Sequence, residues 1–579
     1  MGLIKNIVKY IFILLLIALG VVVLMGAVLF LFPNVSIFGY RYISVNEKVQ
    51  YNLSISEVIP EYYTENLDKV VSIEIDAENV NVTVEPRNVN ISENGQLIVK
   101  SLIQGNGFSK PENEGATIKE MYNTQKPYLV DLGNDEYKLV IVNKTADGIV
   151  NLTHHKLQVL IPNDLASNLK DLTIKTKSGS INIDKDTDDV ENETIFNVTG
   201  TTTLQSTSGA QNLRYITVNN LNAKSNSGDM LFTTNIGNIK GNAIIENETG
   251  SIKFEEEVDI LGNAYVKSGI SRIKINDIRE YFEYVGESAY LEVGKITGEV
   301  YIKSSDAVVV IDEISGEGAT LVAGLDPQDA DNMSGNSAHN AIGNRTFHIK
   351  KADVDTLFLE TNTGDITIDE LISQDNIESK PNGNLLTESG DITIGKLVGD
   401  VGAVTNSGNI KINQGTYTEY SDKKDILKNA YIKVKSAKGN IVLKNIVGEL
   451  HLSVTSGGNA PIDVQMLEVN QNSEIFGGKG NLKLKLPTLL TDNTTHNIYT
   501  IAFFKENNND KTLAKGSISI SLSGITEIED KNDYYYIQKV VYNEETQNNE
   551  FFGTAKLDNY PIIHIYSTGG NIKISDIKA

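Results

Sequence analysis

Two hydrophobic patterns divide this chain. Residues 11–32 form one unbroken run without a charged or strongly polar side chain. From about Asp68 onward, short segments instead place apolar residues at every second position, for example Val71, Ile73 and Ile75. A period of two is typical of β-strands, and no segment of about 12 or more residues beyond the first run has a helical period. The pattern predicts one N-terminal helix followed by an all-β body.

The apolar run has the length of a membrane-spanning helix. At ~1.5 Å per residue it would extend about 33 Å, and a bilayer core is roughly 30 Å thick. Lys5 and Lys9 precede the run, which favours a cytoplasmic N-terminus, while Arg41 and Lys48 follow it and keep the charge asymmetry small. We therefore expect a single-pass protein of the cell membrane, anchored through residues 11–32, with an extracytoplasmic body.

A cleaved signal peptide is the alternative interpretation of this run. The apolar region of a signal peptide is usually ~7–15 residues long and ends in a small-x-small cleavage site. Here the run is longer and ends in Leu29, Phe30, Leu31 and Phe32 before Pro33. Both features favour an anchor that is retained.

One hexamer, Ser/Thr-Gly-Asp/Asn/Ser-Ile-x-Ile, recurs along the body. It occurs at 178–183, 363–368, 389–394 and 407–412, and with one changed residue at 249–254, where Phe254 replaces the last Ile, and at 569–574, where Gly569 replaces Ser or Thr. Looser copies lie at 438–443, 479–484 and 515–520. Glycine suits a corner with positive φ, and the residue after it can hydrogen-bond the turn locally. The two apolar residues then point to one face of the following strand.

These motifs give two sets of structural residues. We expect the corners to be held by Gly179, Gly250, Gly364, Gly390, Gly408 and Gly439. We expect the stacked core to contain Ile366, Ile368, Ile392, Ile394, Ile410 and Ile412.

The spacing of the glycines indicates a repeating unit. Gly390, Gly399 and Gly408 are evenly spaced along the chain. They define a unit of about 18 residues with two strand-plus-corner halves. Such a unit cannot bury its isoleucines alone, but copies stacked at the interstrand spacing of ~4.8 Å can. The sequence therefore predicts a rod-shaped parallel β-helix, or β-solenoid, with short coils. An antiparallel sandwich also has strands at ~8–12-residue spacing, but it does not require the same corner residues at a fixed period.

The predicted order of segments follows from these patterns. We expect a cytoplasmic segment at 1–10, the anchor at 11–32, a tyrosine-rich connector at 33–67, the β-helix at 68–484 and a β-rich segment closing the stack at 485–579. The last segment largely lacks the hexamer, as expected for the atypical terminal unit that a solenoid needs.

The order of motifs resembles a known protein family. Residues 157–162 form a strand ending in Ile-Pro, residues 172–183 carry the first hexamer, and Ser-Gly-Asp-Ile-Thr-Ile and Val-Gly-Asp-Val units follow at 389–401. This order resembles bacterial adhesin-type domains of unknown function, over residues 66–484 with a final repeat at 568–577. The resemblance implies a parallel β-helix, and the name adhesin belongs to that family. It supplies no catalytic residues, because its motifs are structural.

Charge and composition exclude several functions. The net charge is −24, which argues against nucleic acid as a partner because phosphate binding needs a basic face. Residues 1–49 carry +3, so the rest carries −27 and is expected to stand off anionic lipid headgroups. The chain has no cysteine, which excludes disulfides, thiol catalysis and thiolate metal sites.

No motif in the chain indicates catalysis or a cofactor. His-Glu-x-x-His, Gly-x-Ser-x-Gly and the phosphate-binding loop are missing from the sequence. Residues 184–189 begin like a calcium loop, but Asp189 stands where that loop needs Gly and Ile195 where it needs Glu. We interpret this segment, the aspartates at 326, 329 and 331, and the seven histidines as solvated surface. We therefore expect no catalytic residue, no metal site and no cofactor.

The sequence thus predicts a non-enzymatic surface protein with an adhesin-like or structural interaction role. Its partner would be the membrane through residues 11–32, together with an envelope polysaccharide or a surface protein. Two alternatives stay open. One is a polysaccharide-active enzyme on a β-helix, which needs two carboxylates ~5–9.5 Å apart across a cleft. The other is an extracytoplasmic sensor or scaffold with a protein partner.

Overall fold

The computed structural model describes most of the chain, in segments. The described residues are 2–32, 37, 41–54, 70–89, 96–109, 126–143, 149–185, 195–233, 236–255, 258–323, 346–373, 383–415, 431–454, 458–469, 471–487, 500–504, 518–521, 540–543, 548–551, 561–566 and 569–577. They form two compact units, Met1–Glu256 and Glu257–Ala579, so the predicted segment 68–484 is divided between the units.

The N-terminal apolar run forms the helix α1, Gly2–Leu31. Within it, Lys9–Leu31 is long and apolar enough to cross a membrane, and no residue of its most apolar 18-residue stretch is buried. The end of α1 contacts the body. Leu29 is 6% exposed, and the ring of Phe30 meets the ring of Tyr42 edge-on, with centroids 5.3 Å apart. The prediction of one N-terminal apolar helix before an all-β body is confirmed.

The described part of the first unit contains strands β1 to β15 and the one-turn helix α2, Asn163–Ala166. The strands are β1 (Arg41–Ser54), β2 (Val70–Ala77), β3 (Asn81–Arg87), β4 (Gln96–Ser109), β5 (Tyr128–Gly133), β6 (Glu136–Asn143), β7 (Ile149–Pro162), β8 (Leu169–Thr176), β9 (Ile181–Ile183), β10 (Phe196–Ser206), β11 (Gln211–Leu213), β12 (Ile216–Ser225), β13 (Met230–Phe232), β14 (Ile236–Ile239) and β15 (Ala243–Phe254). β1 lies inside the predicted connector 33–67.

Most strands of the first unit belong to two parallel columns. One column is β6–β2–β8–β10–β12. The other is β7–β3–β9–β11–β13. Strands that follow each other along the chain, such as β8 and β9, belong to different columns. The first strands of the two columns, β6 and β7, also have antiparallel neighbours. β5 pairs with β6, β4 pairs with β7, and β1 pairs with β4.

The second unit contains the remaining described strands. They are β16 (Val258–Ile260), β17 (Ala264–Ile278), β18 (Tyr281–Thr297), β19 (Glu299–Ala323), β20 (Thr346–Thr361), β21 (Ile366–Ser373), β22 (Leu385–Thr387), β23 (Ile392–Gly399), β24 (Val401–Thr405), β25 (Ile410–Gly415), β26 (Tyr431–Ser436), β27 (Ile441–Val447), β28 (Glu449–Val454), β29 (Ile462–Glu468), β30 (Ser473–Phe476), β31 (Leu482–Leu486), β32 (Thr500–Phe504), β33 (Ile518–Ser521), β34 (Val540–Asn543), β35 (Asn548–Phe551), β36 (Ile562–Tyr566) and β37 (Ile572–Asp576).

Several parallel pairs of the second unit share one offset along the chain, equal to the spacing of the predicted units, while other pairs, such as Ile366 with Ile392, are further apart in sequence. Ala264 lies opposite Phe282, and Phe282 lies opposite Val300. After β20 the chain alternates between the columns β21–β23–β25–β27–β29–β31 and β22–β24–β26–β28–β30. The same offset joins Ile392 to Ile410. The alternation of apolar residues therefore places equivalent side chains of successive strands next to each other.

The C-terminal strands occupy an internal position in these columns. β36 pairs in parallel with both β30 and β32, and β37 pairs with both β31 and β33. The chain therefore reaches β32 and β33 before its last strands fill the position between them and β30–β31. β34 and β35 form a separate antiparallel pair.

Candidate functional site

The predicted core isoleucines stack in two rows. Ile366, Ile392 and Ile410 lie opposite one another on β21, β23 and β25, as do Ile368, Ile394 and Ile412. All six side chains have 0% exposure. Burying one such side chain contributes about 1.5–3 kcal/mol relative to leaving it in water. The rows therefore hold successive strands together.

The predicted corner glycines lie in the bends between the columns, but the prediction that they have positive φ is wrong. Gly179, Gly250, Gly390, Gly408 and Gly439 all lie outside the positive-φ region. Each is instead crowded by the backbone of an earlier segment of the chain that stacks on it in the columns, and we call each such stacked segment a level. A Cβ on Gly408 would overlap the carbonyl oxygen of Gly390, and a Cβ on Gly390 would overlap that of Gly364. Glycine is required here because two backbone segments approach too closely for any side chain.

Positive φ occurs at the other set of corners. Their glycines lie in the other half of the repeating unit, in segments such as 398–401 that do not carry the hexamer, and we call their position the half-repeat corner. The φ values are 138°, 151°, 97° and 144° at Gly298, Gly316, Gly399 and Gly448. The two corners of one repeating unit thus share crowding and differ in backbone conformation. A Cβ on Gly298 would overlap the carbonyl oxygen of Glu280, and a Cβ on Gly399 would overlap that of Ser373. Crowding and positive φ therefore both select glycine at the half-repeat corner, whereas crowding alone selects it at the hexamer corner.

Three residues before most of the hexamer glycines, a short polar side chain hydrogen-bonds the corner from inside. Thr387 Oγ1 accepts the N–H of Gly390 at 2.9 Å, and Thr405 Oγ1 accepts that of Gly408 at 2.9 Å. These two threonines lie opposite each other and are 1% and 2% exposed. In the first unit Ser225 accepts the N–H of Gly228 at 2.9 Å. These stacked hydroxyl groups accept hydrogen bonds from buried backbone N–H groups that would otherwise lack partners.

The residue after each hexamer glycine joins neighbouring levels from outside. The N–H of Asp391 donates to Asp365 Oδ1 at 2.8 Å, and the N–H of Asn409 donates to Asp391 Oδ1 at 2.7 Å. At Asp229 the backbone N–H and the hydroxyl of Ser251 donate to the carboxylate, which lowers the pKa of Asp229. Stabilisation of this kind is present above the ordinary pKa and is lost as pH falls through the lowered one.

Several structural residues were missed from the sequence. Gly209 and Gly228 are crowded corners of the same kind, and their Cβ atoms would overlap the carbonyl groups of Gly179 and Gly209. Their hexamers were missed because other residues stand at the four isoleucine positions, namely Gln211, Leu213, Met230 and Phe232. A broader pattern, with a short polar residue three positions before each glycine, would have found them.

The candidate metal ligands are not brought together among the described residues. That part of the chain contains no group of three or more His, Asp or Glu side chains arranged to hold a metal ion. His451 contacts two carboxylates, with Nε2 2.6 Å from Glu449 Oε1 and Nδ1 3.6 Å from Glu474 Oε2. The aspartates at 326, 329 and 331, most of the loop at 184–189, and the side chains at 154 and 155 lie outside the described residues.

A different feature, a basic concavity, lies on the antiparallel edge of the first unit. Its volume is about 380 Å³, and β1, β4 and β7 line it. In one row across the three strands, Leu102 lies between Lys48 and Lys156. In the next row on the same side of the sheet, Lys100 lies between Gln50 and Gln158. These residues alternate with buried ones such as Val49 and Leu157, so they share the outer side of the sheet. We call this surface, with Lys48, Lys100 and Lys156, the lysine face.

The lysines of this face differ from many others in the first unit. Lys138 and Lys175 both pair with Glu74, at 3.1 and 3.4 Å, and these contacts lower the pKa of Glu74. Within the described segments, Lys48, Lys100 and Lys156 have no ion pair. The nearby Glu85 is 6% exposed and accepts a hydrogen bond from Gln158 Nε2 at 2.7 Å. The face therefore presents positive charge to solvent on a strongly acidic protein.

Comparison with known proteins gives two structural neighbours, both described as adhesion proteins, as the sequence resemblance predicted. One is a putative adhesin from Parabacteroides merdae ATCC 43184, with 9% identity and a TM-score of 0.18, covering 64% of this chain and 96% of that one. The other is a putative cell adhesion protein from Clostridium sporogenes ATCC 15579, with 11% identity and a TM-score of 0.15, covering 55% of this chain and 100% of that one. No family model and no curated protein matches the chain.

Proposed function

We propose that this protein is a non-catalytic surface protein, held in the cell membrane by α1, whose extracytoplasmic body is a parallel β-helix with an adhesin-like or structural interaction role. The observation that carries the proposal is that an unburied, membrane-length apolar helix precedes a body whose strands pair mostly in parallel, and that the end of this helix contacts β1. A helix of this kind needs a hydrophobic environment, because its exposed apolar surface is unfavourable in water.

The β-helix is supported by three features that recur at the same position of each unit. These are the offset shared by several pairs of strands, the buried isoleucine rows and the crowded glycine corners. Stacked coils explain all three together, since each feature joins one coil to the next across ~4.8 Å. The surface of such a stack is set by its outward residues, which are free to vary for binding without disturbing the core.

The topology is supported by the charges around α1. Lys5, Lys9 and the α-amino group precede the apolar run, against Arg41 and Lys48 after it, and this small excess favours a cytoplasmic N-terminus and an extracytoplasmic body. The ring contact between Phe30 and Tyr42 fits this arrangement, because aromatic side chains favour the membrane–water interface.

A binding assay tests the interaction role. The full chain in lipid nanodiscs is incubated with washed bacterial envelopes and with purified wall polysaccharide, with and without Ca²⁺, and the length of the polysaccharide is followed. Empty nanodiscs and the heat-unfolded chain are the controls. We expect saturable binding without cleavage.

Each other outcome contradicts a specific part of the proposal. Shortening of the polysaccharide would contradict the absence of catalysis and favour a polysaccharide-active enzyme. A lack of binding to every envelope fraction would contradict the adhesin-like role and favour a sensor or scaffold with a protein partner.

A further inference from the structure

The lysine face and the end of α1 lie on the same side of β1. Tyr42, whose ring contacts Phe30 of α1, and Lys48 are six residues apart on one strand. Residues separated by an even number of positions share a face of a strand, and β1 pairs with β4 without a register shift. The apolar helix therefore meets the sheet on the side that carries the lysines.

The distance between these features is short. Along β1, six residues at ~3.3 Å each place Lys48 no more than about 20 Å from Tyr42. Phe30 is at the end of the membrane-length segment, so Tyr42 lies at the level where that segment leaves the bilayer. The lysine face is thus among the first surfaces of the body that lipid headgroups would meet.

The lysines are spaced to contact several small anions. Lys48 and Lys156 are two strands apart, or about 10 Å, and Lys100 is diagonal to each at ~7–8 Å. Their ammonium groups have no ion pair within the described residues, while Lys138 and Lys175, in the other column of the same unit, are paired with Glu74. Unpaired lysines in this arrangement are complementary to a layer of separate phosphate groups rather than to one buried ligand.

We propose that the lysine face binds the phosphate groups of anionic phospholipids in the leaflet from which α1 emerges, so that the first unit lies against the membrane on this side. The proposal rests on the membrane anchoring proposed above. It modifies what net charge alone predicts: the body as a whole is acidic and should be repelled, but this side carries three lysines where the chain leaves the bilayer.

The chain offers a clean way to measure this contact, because it has no cysteine and no tryptophan. A Gln50→Cys variant of the full chain carries one fluorophore on the lysine face. An Ile244→Cys variant carries it on β15, at an exposed position far from β1 along the columns of the same unit. Each is inserted into nanodiscs of phosphatidylcholine alone, or of phosphatidylcholine and phosphatidylglycerol, containing a headgroup spin-labelled lipid as quencher.

We expect the label at position 50 to be quenched at least ~3-fold more in discs with phosphatidylglycerol, and the label at position 244 to be unaffected by the lipid. The excess quenching should disappear in 1 M salt, where the Debye length falls from about 10 Å to about 3 Å. It should also disappear in the Lys48→Gln, Lys100→Gln, Lys156→Gln triple variant.

Two matched variants separate charge from folding. The triple Lys→Arg variant at the same positions keeps the charge and should keep the quenching. A Lys411→Gln, Lys435→Gln, Lys573→Gln variant removes three exposed lysines without ion pairs in the described part of the second unit, and it should also keep the quenching.

Different contrary results would overturn different parts of the proposal. Equal quenching in both lipids, or quenching that survives loss of the three lysines, would overturn the proposal while leaving the anchoring intact. Failure of the chain to enter nanodiscs would contradict the anchoring itself. A label at position 50 that ignores phosphatidylglycerol but changes its emission with inorganic polyphosphate would overturn the lipid assignment in favour of a soluble anionic polymer.

Discussion

At the scale of single residues, each hexamer glycine from Gly390 to Gly439 lies directly over a backbone group of the level below. The Cβ of an alanine at position 408 would overlap the carbonyl group of Gly390, whereas Gly569 has nothing within 4 Å of such an atom. Neither has positive φ, so the two positions differ in crowding and not in backbone conformation.

This difference predicts the outcome of two alanine substitutions. Gly408→Ala should destabilise the second unit by about 1–3 kcal/mol, because the stacked backbones must separate to admit the methyl group. Gly569→Ala should change the free energy of unfolding by less than about 0.5 kcal/mol. Urea denaturation followed by circular dichroism measures both. Equal stabilities of the two variants would contradict the crowded corner.

The sequence identified these glycines without revealing why they are needed. Positive φ and a close backbone neighbour both exclude a side chain, and both therefore select glycine. The neighbour of Gly408 is Gly390, one repeating unit earlier in the chain, and only the fold brings them together. The hydroxyl groups of Thr387 and Thr405 were missed for the same reason, since a short polar residue before a turn is typical of an exposed turn as well.

At the scale of elements, alternation predicted strands reliably but gave no information on their partners. The isoleucine rows follow from a period of two and from the regular spacing of the hexamers, both of which can be seen in the sequence. The antiparallel edge formed by β1, β4 and β7 could not be predicted, because these strands are far apart along the chain and share no motif. The lysine face was missed as a result, since each strand contributes a single lysine to it.

The order of the last strands was also unexpected from the sequence. The segment 485–579 was predicted to close the stack, and the hexamer at 569–574 gave no reason to place it inside. In the structure, β36 and β37 separate β30 and β31 from β32 and β33. Parallel strands carry no sequence signal for which neighbour they choose when a long segment intervenes.

This arrangement predicts a specific effect of truncation. Removing residues 562–579 should expose the backbone edges of β30 and β31, so their amide hydrogens should exchange at least ~10-fold faster, while β23 and β25 stay protected. Removing only residues 578 and 579 is the control, since it leaves β37 intact. Hydrogen-exchange mass spectrometry of both variants measures the effect. Unchanged protection of β30 and β31 would contradict the internal position of β36 and β37.

At the scale of the whole molecule, the chain combines an unburied apolar helix with an acidic body whose lysine face adjoins that helix. A net charge of −24 keeps the body soluble, and its parallel columns bury their apolar side chains without any disulfide. The helix, by contrast, leaves its large side chains from Tyr10 to Leu24 exposed. Only insertion into a membrane, or removal of the segment, takes these apolar side chains out of water.

The proposed function requires that α1 is a retained anchor with the body outside the cell. Thiol labelling of intact bacteria tests it most directly, because the native chain has no cysteine. The full chain is produced with a single cysteine at position 6 or at position 244, and whole cells are treated with a membrane-impermeant maleimide. Cells opened before treatment provide the control that both thiols can react.

We expect Ile244→Cys to be labelled on intact cells, and Asn6→Cys to be labelled only after the cells are opened, with both residues in one polypeptide of full mass. Labelling of position 6 on intact cells would reverse the topology. Loss of position 6 from the mature chain would show that the segment is a cleaved signal peptide, and protection of position 244 on intact cells would contradict a surface protein.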